Sequence, residues 1–196
     1  KKKKKDIFEE LNIEKMKDYL LVAYHSVTEE FDKTQKNFDI FFKSLKLIDL
    51  PKIWILPNND AGSNIIKSNV LKKRTNDIFI FDNVNREKYL YLLKHASCIV
   101  GNSSSGIIEA PTFGVPCVNV GRRQNKRLRA KNVIDILNYD EVKISRAIKR
   151  AISKDFKRKL INLKNPYGDG NSSSKIVEYL VNTKRDKKLF FKEVTY

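Results

Sequence analysis

Long apolar runs are absent from this sequence. Nothing approaches the ~18 consecutive apolar residues of a membrane span, and the first stretch, KKKKKDIFEELNIEK, lacks the apolar centre of a signal peptide. The expectation is therefore no membrane contact. Cysteine is scarce too. Cys98 and Cys117 each sit in an apolar run, which predicts two buried thiols in a reducing cytoplasm rather than a disulfide framework. With two histidines and no Cys or His pair at ligand spacing, neither a structural zinc nor a thiol nucleophile is expected. Initiating methionine is missing, and the expectation is a chain cut from a longer protein. Acidic residues are in short supply, 23 against 40 Lys and Arg, for a net charge of +17. Such a balance attracts nucleic acid, an anionic surface or a phosphorylated ligand. The lysines are scattered over helix faces and tails, however, and no basic–aromatic stripe occurs, so a nucleic-acid module ranks last.

What is present suits a folded body: 196 residues, 41% hydrophobic and 32% charged. Short apolar runs alternate with amphipathic stretches, the pattern of an α/β chain with a parallel sheet. Strands are predicted at 18–25, 52–57, 77–82, 97–102, 115–121 and, shorter, 132–137. Helices are predicted at 29–49, with Glu29 and Glu30 answering its amino end, around Ile65 to Val70, from Tyr89 to His95, one or two basic ones over 140–161, and one after a cap at Asn171 or Ser172. This order predicts a doubly wound Rossmann-like sheet, with ligands at the carboxyl ends of the strands. The domain reading is a linker over 1–17, a nucleotide-binding body over 18–181 and a helical extension over 182–196. The apolar end of that extension, Leu189, Phe190 and Phe191, makes self-association possible.

Each candidate motif falls at a strand end. In IVGNSSSGIIEA (99–110) a strand runs into a helix start, where free N–H groups and the hydroxyls of Ser103 and Ser104 converge, and Gly106 is read as admitting a ligand to the backbone. The same residues also suit an ordinary serine cap. Glu109, placed one or two turns into that helix, answers the dipole or accepts from ribose hydroxyls. GRRQ (121–124) brings Arg122 or Arg123 to the same rim, and local sequence does not choose between them. His25 ends the first strand, where it can donate to a phosphate or act as an acid. His95 ends a helix and reads as structural. In PNNDAGS, Asp60 reads as a turn residue and Asn58 stays open. Val84 can offer its backbone to a base, and Tyr89 can stack on it or pack inward.

Taken together, YHSVTEE, PNNDAGS, VGNSSSGIIEAPTFGVPCVNVGRRQ, KNV and NPYGDGNSSSKI resemble the UDP-N-acetylglucosamine 2-epimerases, closest to the hydrolysing branch that feeds sialic acid and related pathways. The resemblance covers about Asp18 to Leu180. It implies one half, the carboxyl-terminal one, of a GT-B-type two-domain fold. It implies that His25, Ser103, Ser104 and Arg123 hold the diphosphate, Glu109 the ribose, Val84 and Tyr89 the uracil, and that Asn58 touches ligand. His25 is the one catalytic candidate. The implied reaction loses UDP from UDP-N-acetylglucosamine and adds water, releasing an N-acetylmannosamine-type sugar without metal or cofactor. The acids for the C2 chemistry are implied to lie in an absent amino-terminal domain, so that the chain alone binds weakly and does not turn over. HSVT stands where the family more often has His-Pro, and Ile107 and Ile108 are apolar where some members carry charge. The alternative is the donor-nucleotide domain of a GT-B glycosyltransferase.

Overall fold

Six four-residue strands, β1 (Leu20–Ala23), β2 (Lys52–Ile55), β3 (Ile78–Phe81), β4 (Cys98–Gly101), β5 (Cys117–Val120) and β6 (Val133–Ile136), form a single sheet. Every pairing is parallel and the order is β3-β2-β1-β4-β5-β6. The computed structural model describes residues 7–184 and divides into two units, Lys1–Pro166 and Tyr167–Tyr196. The doubly wound fold expected from the sequence is thus borne out. β1, β4 and β5 are buried along their whole length, as central parallel strands covered on both faces must be.

Side chains alternate across β1 and feed two cores. Leu20 and Val22 join Trp54, Val100, Phe38, Phe41 and Phe42 of α2 (Thr34–Lys46) and Ile144 and Ile148 of α6 (Glu141–Ile152). Leu21 and Ala23 join Ile53, Ile99 and Cys117, Leu92 and Leu93 of α4 (Arg86–His95), and Phe8 of the short α1 (Ile7–Glu10). Both cysteines are buried and unpaired, and burial raises their thiol pKa values, Cys98 to about 12.

One helix departs from its expectation. The helix predicted over 29–49 is two pieces: a 3-10 segment, Thr28–Lys33, broken at Glu30 (φ −121°, ψ 31°), and then α2. Glu29 and Glu30 therefore do not complement the start of α2, which has no acid in its first turn. α3 (Ser63–Lys72) follows β2 as predicted. The helix after β4 is a single turn, α5 (Ser105–Ile108), because Pro111 supplies no N–H to continue it. The chain proceeds as a 3-10 segment, Ala110–Phe113, ending at Gly114. In the expected basic region, α6 and α7 (Lys154–Arg158) are separate, with Ser153 capping the second.

In the second unit, α8 (Ser172–Asn182) begins after Asn171, whose side chain makes no cap bond. Its residues Ile176, Val177, Tyr179 and Leu180 are exposed. Leu189, Phe190 and Phe191 lie outside the described residues.

Candidate functional site

Strand order reverses between β1 and β4, and the carboxyl ends of these two strands define the crevice where such sheets bind ligands. Their close approach needs glycine. A Cβ on Gly101 (φ +139°) would collide with the Ala23 carbonyl. Just beyond, Asn102 ties the strand ends together. Its Oδ1 accepts from the His25 N–H at 2.7 Å, and its Nδ2 donates to the His25 carbonyl at 2.8 Å. Its own carbonyl accepts from Gln124 Nε2 at 2.9 Å and Arg123 Nη1 at 3.3 Å. Asn102 is fully buried, and it holds His25, the serine loop and the arginine loop in one frame. The sequence does not single it out, because its partners lie 21 to 79 residues away.

A cavity of about 530 Å³ opens over this frame, large enough for a nucleotide-sized ligand. His25, Asn58, Tyr89, Ser103, Ser104 and Arg123 all border it, together with Ser105, Asn59, Lys67, Asp82 and Asn83. Lys67, whose Nζ donates to Asn59 Oδ1 at 3.0 Å, brings a cation that no sequence signal separated from the other lysines. Glu109 and Val84 do not border the cavity. Glu109 follows the single turn of α5, and its Oε1 lies 3.8 Å from Arg86 Nη1. Val84 is half-buried in the loop between β3 and α4, which reaches the cavity through Asp82 and Asn83.

The serine loop is an unfilled donor cluster. The Ser103 and Ser104 N–H groups precede the first intrahelical bond and have no protein acceptor among the described residues. Ser104 occupies the cap position, yet its hydroxyl makes no cap bond. Ser103 and Ser105 share a hydroxyl contact at 3.1 Å, and Ser105 in turn meets the Tyr89 hydroxyl. That bond anchors Tyr89 to the loop, and burial raises its phenol pKa. Gly106 serves a different purpose from the one expected. Its missing Cβ would stand 2.5 Å from Cys117 Sγ, so glycine is needed where α5 packs on β5, not for ligand approach.

Arg123 is selected over Arg122 by position. It borders the first cavity, whereas Arg122 borders only a second one of about 570 Å³, which shares Ser104 and Arg123 with the first. Burial lowers the pKa of His25 to about 4, helped by Arg123 and opposed by Asp60. Its Nδ1 is buried without a partner. The ligand-free imidazole is therefore neutral at pH 7, with one N–H to donate. Asp60 makes the expected turn through its carbonyl, which accepts from Ser63 N–H at 3.0 Å. Its carboxylate also lies 3.7 Å from Arg123 Nη2, a contact the sequence did not suggest.

The family model described as UDP-N-acetylglucosamine 2-epimerase matches residues 1–181. A relative from Campylobacter jejuni, described as a hydrolysing GDP/UDP-N,N'-diacetylbacillosamine 2-epimerase, is 37% identical over 159 residues, covering 79% of this chain and 41% of the relative. The Neisseria meningitidis UDP-N-acetylglucosamine 2-epimerase is 39% identical over 136 residues, covering 69% of this chain and 36% of the relative. The chain thus spans about two fifths of the length of these relatives. A crystal structure of the Methanocaldococcus jannaschii UDP-GlcNAc 2-epimerase in complex with UDP-GlcNAc and UDP shares the fold, with a TM-score of 0.70 at 22% identity over 92% of this chain and 49% of that one. With the family model matching nearly the whole chain and these identities beside it, the chain belongs to the UDP-N-acetylglucosamine 2-epimerase family.

Proposed function

We propose that this chain provides the UDP-holding body, residues 18–181, of a hydrolysing UDP-N-acetylhexosamine 2-epimerase. The observation that carries the reading is the convergence of free loop N–H groups, serine hydroxyls, His25 and Arg123 on one cavity at the β1/β4 switch point. In this reading the diphosphate lies between the Ser103–Ser104 loop and Arg123, with His25 donating to it. The nucleoside runs towards Tyr89 and Val84, and Glu109 takes the ribose once it exchanges Arg86 for the sugar. Asn58 borders the same cavity.

Loss of UDP from C1 as the C2 proton leaves puts negative charge on the departing diphosphate. Donors already oriented at that position stabilise the charge more in the transition state than in the substrate. His25, neutral in the empty site, gains affinity for a proton beside a bound diphosphate and so suits a donor to the leaving oxygen. Water then adds across the resulting C1–C2 double bond, its oxygen to C1 and a proton to C2 on the face opposite to the one that lost it, and frees a mannosamine-type sugar. No carboxylate of this chain is assigned to the C2 proton, and the reading leaves that step to the further length its relatives possess. The names of the relatives support a UDP-linked acetamido sugar, either N-acetylglucosamine or a diacetamido sugar. No helix among the described residues is long and apolar enough to cross a membrane. The family match favours an epimerase over a glycosyltransferase donor domain.

Titration calorimetry with UDP tests the site. Wild type gives heat at millimolar UDP and Arg123→Ala gives much less; no difference between them removes the assignment. The full-length protein carrying this chain, given UDP-GlcNAc and no acceptor, should release UDP and a free mannosamine-type sugar. UDP release that needs an added acceptor would instead indicate a transferase.

A further inference from the structure

The second cavity raises a question about Arg123, which forms part of the wall between the two. On one side are the serines and His25. On the other are three carboxylates, Glu29, Glu30 and Asp60, with Arg122 and Arg127 beside them. The guanidinium is already engaged at both ends. Nη1 donates to the Asn102 carbonyl at 3.3 Å, and Nη2 lies 3.7 Å from Asp60 Oδ2. The first contact is to a buried backbone group that the fold fixes. The second is to a side chain 45% exposed, at a separation longer than the ~2.8 Å of a charge-assisted hydrogen bond. Such a pair restrains the arginine without locking it, and an arriving anion can take its place.

We propose that Asp60 is a competing counter-anion for Arg123, holding the guanidinium in the empty site and contesting it with the diphosphate, so that UDP is held less tightly and leaves faster. This rests on the reading above that Arg123 takes the diphosphate. The carboxylate is free for such a role because the turn bond to Ser63 uses the Asp60 backbone carbonyl. Glu29 and Glu30 border the same second cavity with Arg122 and Arg127, so their charges have cations of their own nearby, and Asp60 is the carboxylate that reaches Arg123. A hydrolytic enzyme that liberates UDP gains from this arrangement, because a diphosphate gripped by uncontested cations would make product release slow.

The test compares wild type, Asp60→Asn and Asp60→Glu in the 196-residue chain, with UDP and inorganic pyrophosphate as probes, by calorimetry and stopped-flow dissociation. Asp60→Asn should bind both probes about two- to fivefold tighter, the range set by a solvent-exposed ion pair, through slower dissociation and with a gain that shrinks at high salt. Asp60→Glu, which restores the charge, should return to wild-type behaviour. Thermal melts check that both variants fold. Unchanged or weaker binding by a folded Asp60→Asn overturns the proposal, because Asp60 then either does nothing or only orients Arg123. If folded wild type binds neither probe at millimolar concentration, the diphosphate site itself is lost and the proposal falls with it.

Discussion

At the residue scale, the site depends on groups whose state is set by neighbours distant in sequence. Burial, then Arg123, depresses the His25 pKa to about 4 from an ordinary 6.5. The unfolded chain therefore binds a proton at His25 that the ligand-free folded chain refuses. Stability is unaffected by this group above pH 6.5 and declines as pH falls from 6.5 towards 4. Urea melts across that window should show the slope, and His25→Gln should flatten it. An NMR titration should place the His25 pKa below 6 without ligand and move it up on UDP binding. Asn102→Ala strips the His25 peptide of two partners in a buried place, at a cost of about 2–3 kcal/mol in stability by chemical denaturation. Arg123→Ala should weaken UDP binding about tenfold or more, as expected for loss of a charge-assisted contact, whereas Arg122→Ala should leave it within about twofold.

At the element scale, the serine loop works because α5 is brief and packed flush on β5. Gly106→Ala would drive a methyl group against Cys117 Sγ and should destabilise the chain by about 1–3 kcal/mol. Adding Cys117→Ala should recover part of the loss, a coupling measurable by a double-mutant cycle. This contact also explains what pattern reading could and could not see. Glycine at 106 was noticed, but its reason was misassigned, because the residue it must avoid is on another strand. The length of the helix after β1 is overestimated for a similar reason, since Glu29 and Glu30 look like first-turn acids until the kink at Glu30 is known. Strand positions were more legible. LLVA, CIVG and CVNV lie buried in the middle of a parallel sheet, and a fully covered strand must be apolar on both faces.

For the whole molecule, the chain spans about two fifths of the relatives it matches, and no described carboxylate is assigned to the C2 proton. The chain alone is therefore expected to bind UDP without consuming UDP-GlcNAc. Chromatography of overnight incubations checks this, and UDP appearing at a rate proportional to chain concentration would show that the chain carries its own acid and base. Saturating UDP should raise the melting temperature, since ligand that binds only the folded state stabilises it. The sequence by itself determined the order of strands and helices, the parallel doubly wound class and the family, because periodicity and contiguous motifs are local properties. Tertiary structure alone decided that Asn102 is the hub of the site, that Glu109 pairs with Arg86, and that Asp60 reaches Arg123. Each of these depends on contacts between residues of different strand-and-helix units that the folded sheet brings together, and no local spacing encodes that proximity.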